Sequence, residues 1–167
     1  MPNYQDPSAS IMQSTTGRPL PSNVEAEKSV LAACMLNEEA VDEIASSLSP
    51  ENFYRPAHRL IFEGIANLAS RHIPIDQISL ADRLAAEGQL EAAGGRPYLV
   101  ELANNTLSLT NWKSHSEIVR RASLQRDLIY ASTNINALAY DAPDDASQTI
   151  EEAERMLFSV TQKRVGS

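Results

Sequence analysis

From Leu109 to Asp141 the chain contains neither glycine nor proline, across roughly 30 residues. A stretch of that length without a helix breaker predicts a single helix of about 45 Å, too long to lie inside a small globule. Its apolar positions Leu124, Leu128, Ala131, Ile135 and Leu138 recur at spacings of four and three, the pattern of a helix-packing seam. Ala142-Pro143-Asp144 breaks the helix. A second one is expected over 145–162, with Ile150, Ala153, Leu157 and Val160 on one stripe. Two such helices joined by a short loop predict an antiparallel hairpin. Ile129, Tyr130, Met156 and Phe158 fall off the seam, so a second apolar strip is left, either to meet a partner or to fold back on the head.

Upstream of the hairpin the start and stop signals are closely spaced. Asn23 precedes a helix to about Leu36, with Glu25 and Glu27 in its first turn and Val24, Val30, Leu31, Cys34 and Met35 as its apolar side. Asn37 caps a second helix through Val41, Ile44 and Leu48, and Ser49-Pro50-Glu51 repeats the start signal. Pro56 opens a longer helix carrying Leu60, Ile61, Ile65 and Leu68, and Ile73-Pro74-Ile75 ends it. Ser79 is read as the cap of a short helix that Gly88 stops, and Gly94-Gly95 as a turn before a helix through Tyr98, Leu99 and Leu102. The fold class that follows is all-α: a compact multi-helix globular head over 23–108, then a protruding helical hairpin over 109–162. Residues 1–22, rich in Pro, Ser, Thr and Asn, read as a disordered lead.

The net charge of −8 argues against direct nucleic-acid binding, because phosphate recognition needs clustered Lys and Arg. The Arg120-Arg121 pair reads as a solvated helix face. The single cysteine, Cys34, lies in an apolar run and reads as a buried small hydrophobe. No signal-peptide pattern and no apolar run of membrane-spanning length is present, so a cytoplasmic location without membrane contact is expected. His58, His72 and His115 have no partner at metal-ligand spacing. The acidic pairs Glu38-Glu39, Asp144-Asp145 and Glu151-Glu152 sit at helix starts, where the helix dipole accounts for them. The Gly88–Gly95 stretch lacks a phosphate-binding Gly-Lys-Ser/Thr ending. No catalytic, cofactor or metal site is expected in this fragment.

Several strings, in order, resemble DnaB-type replicative DNA helicases. These are Asn23 through Leu31, Asn52-Phe53-Tyr54-Arg55-Pro56-Ala57-His58, Pro74-Ile75-Asp76, Gly94-Gly95 with Tyr98-Leu99, Ile118-Val119-Arg120 and Arg126 through Ile129, and Glu151 through Phe158. The resemblance covers about 20 to 162 and implies the N-terminal collar domain of a hexameric helicase. ATP and Mg would belong to a missing C-terminal ATPase domain, reached by a linker that starts at 163–167. The implied partners are further copies of the chain, as a dimer and a trimer-of-dimers collar, and the C-terminal domain of the primase. The resemblance assigns partner contact to Ile129 and Ile135 on the hairpin and to Glu25 and Tyr98 at the head. Each has a second reading: Ile135 lies on the seam, Tyr98 suits a core aromatic with a satisfied hydroxyl, and Glu25 suits the dipole of its helix. The sequence departs from the family pattern at three places: Asn52 where Asp is usual, Ser114-His115 where an aromatic pair is frequent, and Asp127 where a basic residue is common. A stand-alone helical adaptor and a small helical enzyme are the competing classes; an open reading frame continuing into a phosphate-binding loop separates the first from a helicase domain.

Overall fold

Asn23 is extended, and its side chain accepts from the Ala26 N–H at 2.9 Å, so the first helix starts where the sequence places it. In the computed structural model, which describes residues 17–105, 108–141 and 145–165, seven α-helices and no strand are found among the described residues. They are α1 (Val24–Leu36), α2 (Glu38–Ser47), α3 (Pro56–Ser70), α4 (Gln77–Ala86), α5 (Gly95–Ala103), α6 (Ser108–Tyr140) and α7 (Ala146–Val165), with a 3₁₀ turn at Pro50–Asn52. The expected all-α class is what the chain adopts. The lead expected at 1–22 lies outside the described residues up to position 16, and so does the turn at 142–144.

The chain packs as two units, Ser22–Ser123 and Leu124–Gly166, with the described residues 17–21 belonging to the second. The division falls within α6 rather than at the helix start expected from the sequence. The first half of α6 belongs to the head because Val119 is buried in its core, with Trp112 and Ile118 packed against that core. Two polar pairs reinforce this. Ser29 Oγ and His115 Nδ1 lie 2.5 Å apart, and Asn52 Nδ2 donates to Ser123 Oγ at 3.0 Å. Asn52 and His115 are two of the departures from the family pattern, and both fasten α6 to the head.

Helix α1 is the axis of the head. The sequence suggests one apolar side, but Ala26, Glu27 and the whole run from Ser29 to Met35 are buried. It packs against α2, α3 and α5, and α4 packs against α3 and α5. A helix buried on all faces needs small side chains to admit its neighbours. Ala32 and Ala33 are both fully buried. The α3–α4 crossing uses the same device at Gly64, where a Cβ would stand 2.9 Å from a Leu80 methyl. Cys34 is buried as expected, and burial pushes its thiol up to about 12.

Helix α4 corrects the assigned cap. Asp76, not Ser79, is its N-cap: the Asp76 carboxylate accepts from the Ile78 and Ser79 N–H groups at 2.9 and 2.8 Å. Ser79 sits three residues on, and its hydroxyl accepts from the Asp76 N–H at 3.0 Å. The two form a reciprocal capping box. The Ser79 N–H holds the Asp76 carboxyl below its ordinary range. At the end of α3, His72 takes a left-handed conformation, with φ at +56°, and the Ile73 N–H reaches back to the Leu68 carbonyl at 3.0 Å.

Candidate docking surfaces and a buried polar cluster

A carboxylate buried without donors is costly, so the company that Glu27 keeps is informative. Glu27 is 1% exposed in the centre of the head. One carboxylate oxygen accepts from the Tyr54 N–H at 2.8 Å. The other accepts from the Arg55 N–H at 3.4 Å and lies 2.8 Å from His58 Nδ1. With the carboxylate as acceptor, Nδ1 carries the hydrogen and Nε2 accepts from the Tyr98 hydroxyl, 2.6 Å away. The two ring planes are nearly parallel, at 4°. The chain Glu27–His58–Tyr98 thus ties α1, α3 and α5 together.

Local sequence explains how each part arrives. Phe53 is fully buried against Phe62, with ring centroids 4.9 Å apart, and pins the segment that presents the Tyr54 and Arg55 amides. Pro56 at the helix start then places His58 on the first turn of α3. Tyr98 packs on Gly94, whose φ of +105° a side chain would resist and whose Cβ would stand 2.7 Å from the ring. Burial, the largest influence, lifts the Tyr98 hydroxyl above its ordinary range. From the sequence, His58 has only the lack of a partner at metal-ligand spacing to describe it, and Glu27 only its place in a helix's first turn. The one available signal was that Glu27 follows Glu25 by two, which turns it away from the solvent-facing side of the helix.

The residues assigned to partner contact are divided between the units: Glu25 and Tyr98 belong to the head, Ile129 and Ile135 to the second unit. Glu25 is exposed, pairs with Lys28 at 3.5 Å, and lines a cleft of about 240 Å³ with Ser29, Asn105 and His115. Tyr98 is half-buried and bonded to His58. Ile129 and Ile135 are half-buried on the second half of α6.

In the second unit, Lys163 Nζ lies 3.5 Å from Asp127 Oδ2, while Leu138 and Asp141 share a cleft with Thr149, Glu152 and Arg155. The second half of α6 and α7 therefore run antiparallel. Asp127, the third departure from the family pattern, supplies this cross-hairpin ion pair. The seam needs correcting. On α6, Ala131 is buried and Leu124 and Leu138 are half-buried, but Leu128 is 51% exposed. On α7, Ala153 and Val160 are half-buried, whereas Ile150 and Leu157 are 59% and 45% exposed. Thr149 and Met156 are half-buried in their stead while Ala153 and Val160 stay inward, so the covered side of α7 is shifted by roughly 50°, about half the step between neighbouring residues, from the expected setting. Both stripes have the same three-and-four spacing, and periodicity alone does not choose between them. The consequence is an uncovered apolar face made by Ile150, Leu157 and Phe158, the last 61% exposed. Tyr130 and Met156, expected on the free strip, are half-buried.

Among the described residues, no group of three or more His, Cys, Asp or Glu is placed to hold a metal ion, and no helix is long and apolar enough to cross a membrane.

Comparison with known proteins agrees with this architecture. The family model of the DnaB-like helicase N terminal domain matches residues 19–121. The chain is 36% identical over 166 residues to the replicative DNA helicase DnaB of Pasteurella multocida (strain Pm70), a match covering 99% of this chain and 35% of that protein. It is also 36% identical over 144 residues to the DnaB of Geobacillus stearothermophilus, covering 86% of this chain and 32% of that one. The chain spans about a third of the length of these relatives. Among solved structures, the N-terminal domain of DnaB helicase from Mycobacterium tuberculosis superposes with a TM-score of 0.79 at 30% identity, covering 83% of this chain and 98% of that one. A structure of a DnaB-like replicative helicase and its interactions with primase gives a TM-score of 0.67 at 27% identity, covering 83% of this chain and 31% of that one. The chain belongs to the DnaB-like helicase N-terminal domain family.

Proposed function

We propose that this chain is the assembly and docking domain of a replicative DNA helicase, acting in the cytoplasm and carrying no catalytic site itself. The observation behind the reading is the apolar face of α7, where Ile150, Leu157 and Phe158 stand 59%, 45% and 61% exposed. Burying such side chains contributes about 1.5 to 3 kcal/mol each, enough to hold two copies together when several are covered at once. A second copy of the hairpin is the proposed cover, as in a dimer or a trimer-of-dimers collar. The C-terminal domain of the primase is the proposed docked partner, in line with the relative whose structure concerns its interactions with primase. Ile129 and Ile135, with Glu25 and Tyr98, are its proposed contacts. ATP and Mg belong, on this reading, to a motor domain outside this chain, and nucleic acid is not a direct partner.

Light scattering on the purified chain tests the assembly. A mass above the 18.3 kDa of one chain is expected, returning to one chain with Leu157→Asp combined with Phe158→Asp. Both positions are exposed, so helicity by circular dichroism is expected to hold. A wild-type monomer at high concentration would remove the assembly reading.

Titration with the cognate primase C-terminal domain tests the docking. Ile129→Asn and Ile135→Asn are expected to weaken binding about tenfold each, the effect of losing one apolar anchor. Ile135 is half-buried in the hairpin, so thermal unfolding is measured on the same sample. Unchanged affinity in folded variants sinks the assignment of these two residues.

A further inference from the structure

A groove of about 510 Å³ lies in the head between the α1–α2 junction and the segment joining α3 to α4. Its apolar lips are Leu36 and Ile73, 42% and 40% exposed, and the buried Val41 also lines it. Large aliphatic side chains left uncovered in pairs beside a concavity mark a contact site more often than single exposed ones do. Glu38, Asp42 and Asp76 line the same groove, His72 is its one histidine, and no Lys or Arg lines it. The walls are fixed in advance. Asn37 Oδ1 accepts from the Glu39 N–H at 3.0 Å, His72 is held in the turn that ends α3, and the Asp76 carboxylate is bound by two amides. Those amides also keep Asp76 ionised.

We infer that this groove docks a basic, apolar segment of a partner protein, one or two large aliphatic side chains seated between Leu36 and Ile73 with flanking Lys or Arg facing Glu38, Asp42 and Asp76. Charge selects this occupant. Residues 1–16 of the chain contain no Lys or Arg, so this segment brings no basic side chain to the rim. A second copy carries a net charge of −8 and brings the same carboxylates against these. Complementary charge across a rim sets partner choice and encounter rate, and the apolar anchors supply the affinity. The groove shares no residue with the α7 face, so its test does not depend on the assembly reading.

The experiment titrates a fluorescein-labelled helical peptide of Leu, Ala and Lys into the 167-residue chain, with a Glu-for-Lys peptide as control. Saturable one-to-one binding of the basic peptide alone is expected. Ile73→Asp and Asp42→Lys are each expected to weaken it about tenfold. Glu151→Lys on α7 and Ile78→Asp, exposed but outside the groove, are expected to change it by less than about twofold. All four positions are exposed, and helicity checks that each variant is folded. Equal loss with Glu151→Lys would mean diffuse attraction to an acidic protein and overturn the proposal. So would indifference to Ile73→Asp, tighter binding on removal of residues 1–16, or an Ile73→Asp variant that loses self-association, which would assign the groove to the chain itself.

Discussion

Glu27→Ala is expected to destabilise the head by about 3 to 5 kcal/mol, the range for removing one member of a buried, fully bonded polar group. Three donors lose their acceptor at once: the Tyr54 and Arg55 amides and His58 Nδ1. His58 is fully buried and cannot turn to water, and the two amides lie on the segment that Phe53 pins. For a unit the size of the head this corresponds to a fall in Tm of more than about 12 °C. Tyr98→Phe leaves Glu27 and its three donors in place, removes the hydroxyl bonded to His58, and is expected to cost about 1 kcal/mol. Thermal and urea unfolding read both. A loss below about 1 kcal/mol for Glu27→Ala would show that the cluster is peripheral to stability. The cluster also gives Tyr98 a structural role, because the hydroxyl offered as a partner contact is already engaged inside the head. A primase titration of Tyr98→Phe therefore needs to be read alongside its stability.

Phe53→Ala is expected to cost about 3 to 5 kcal/mol as well, by a different route. The ring is fully buried, so its loss leaves a cavity facing Phe62. The segment it anchors is bonded on both sides. Asn52 Oδ1 accepts from the Ser49 N–H at 2.7 Å, and the Phe53 carbonyl accepts from Arg59 Nε at 2.7 Å. Those bonds hold the loop near its place, so the expected outcome is a lower urea midpoint with an unchanged slope, the mark of a weakened but native head. A changed slope would instead show that the loop is released and that the Glu27 cluster opens with it. Phe53→Leu, which refills most of the space, is expected to recover more than half of the loss.

The relation between sequence and structure differs between helix ends and helix faces. Asn23, Asn37, Pro50 and Pro56 mark starts that the structure keeps, because capping and the fixed φ of proline act over three or four residues. Even here two good caps near each other compete. Asp76 and Ser79 both suit an N-cap, and only the backbone geometry shows that Ser79 is the reciprocal member of the box. Helix faces were less legible. Ala32 and Ala33 look neutral in a pattern of large apolar residues, yet they let α1 be buried on all faces.

What the sequence determined by itself was the all-α class, the positions of most helix starts, the absence of a phosphate-binding motif and, through the strings from Asn23 to Phe158, the family. The class and the helix starts are local properties, fixed by spacing, caps and breakers, while the family rests on the resemblance of those strings. The tertiary structure decided the rest. Glu27, His58 and Tyr98 are separated by 31 and 40 residues and only folding brings them into one bonded chain. The setting of α7 about its own axis was open, because Ile150 with Leu157 and Thr149 with Met156 repeat at the same interval. Packing turned Met156 inward and left Leu157 and Phe158 uncovered, since one side of a helix can be buried against its hairpin partner and the side left over is available to another molecule.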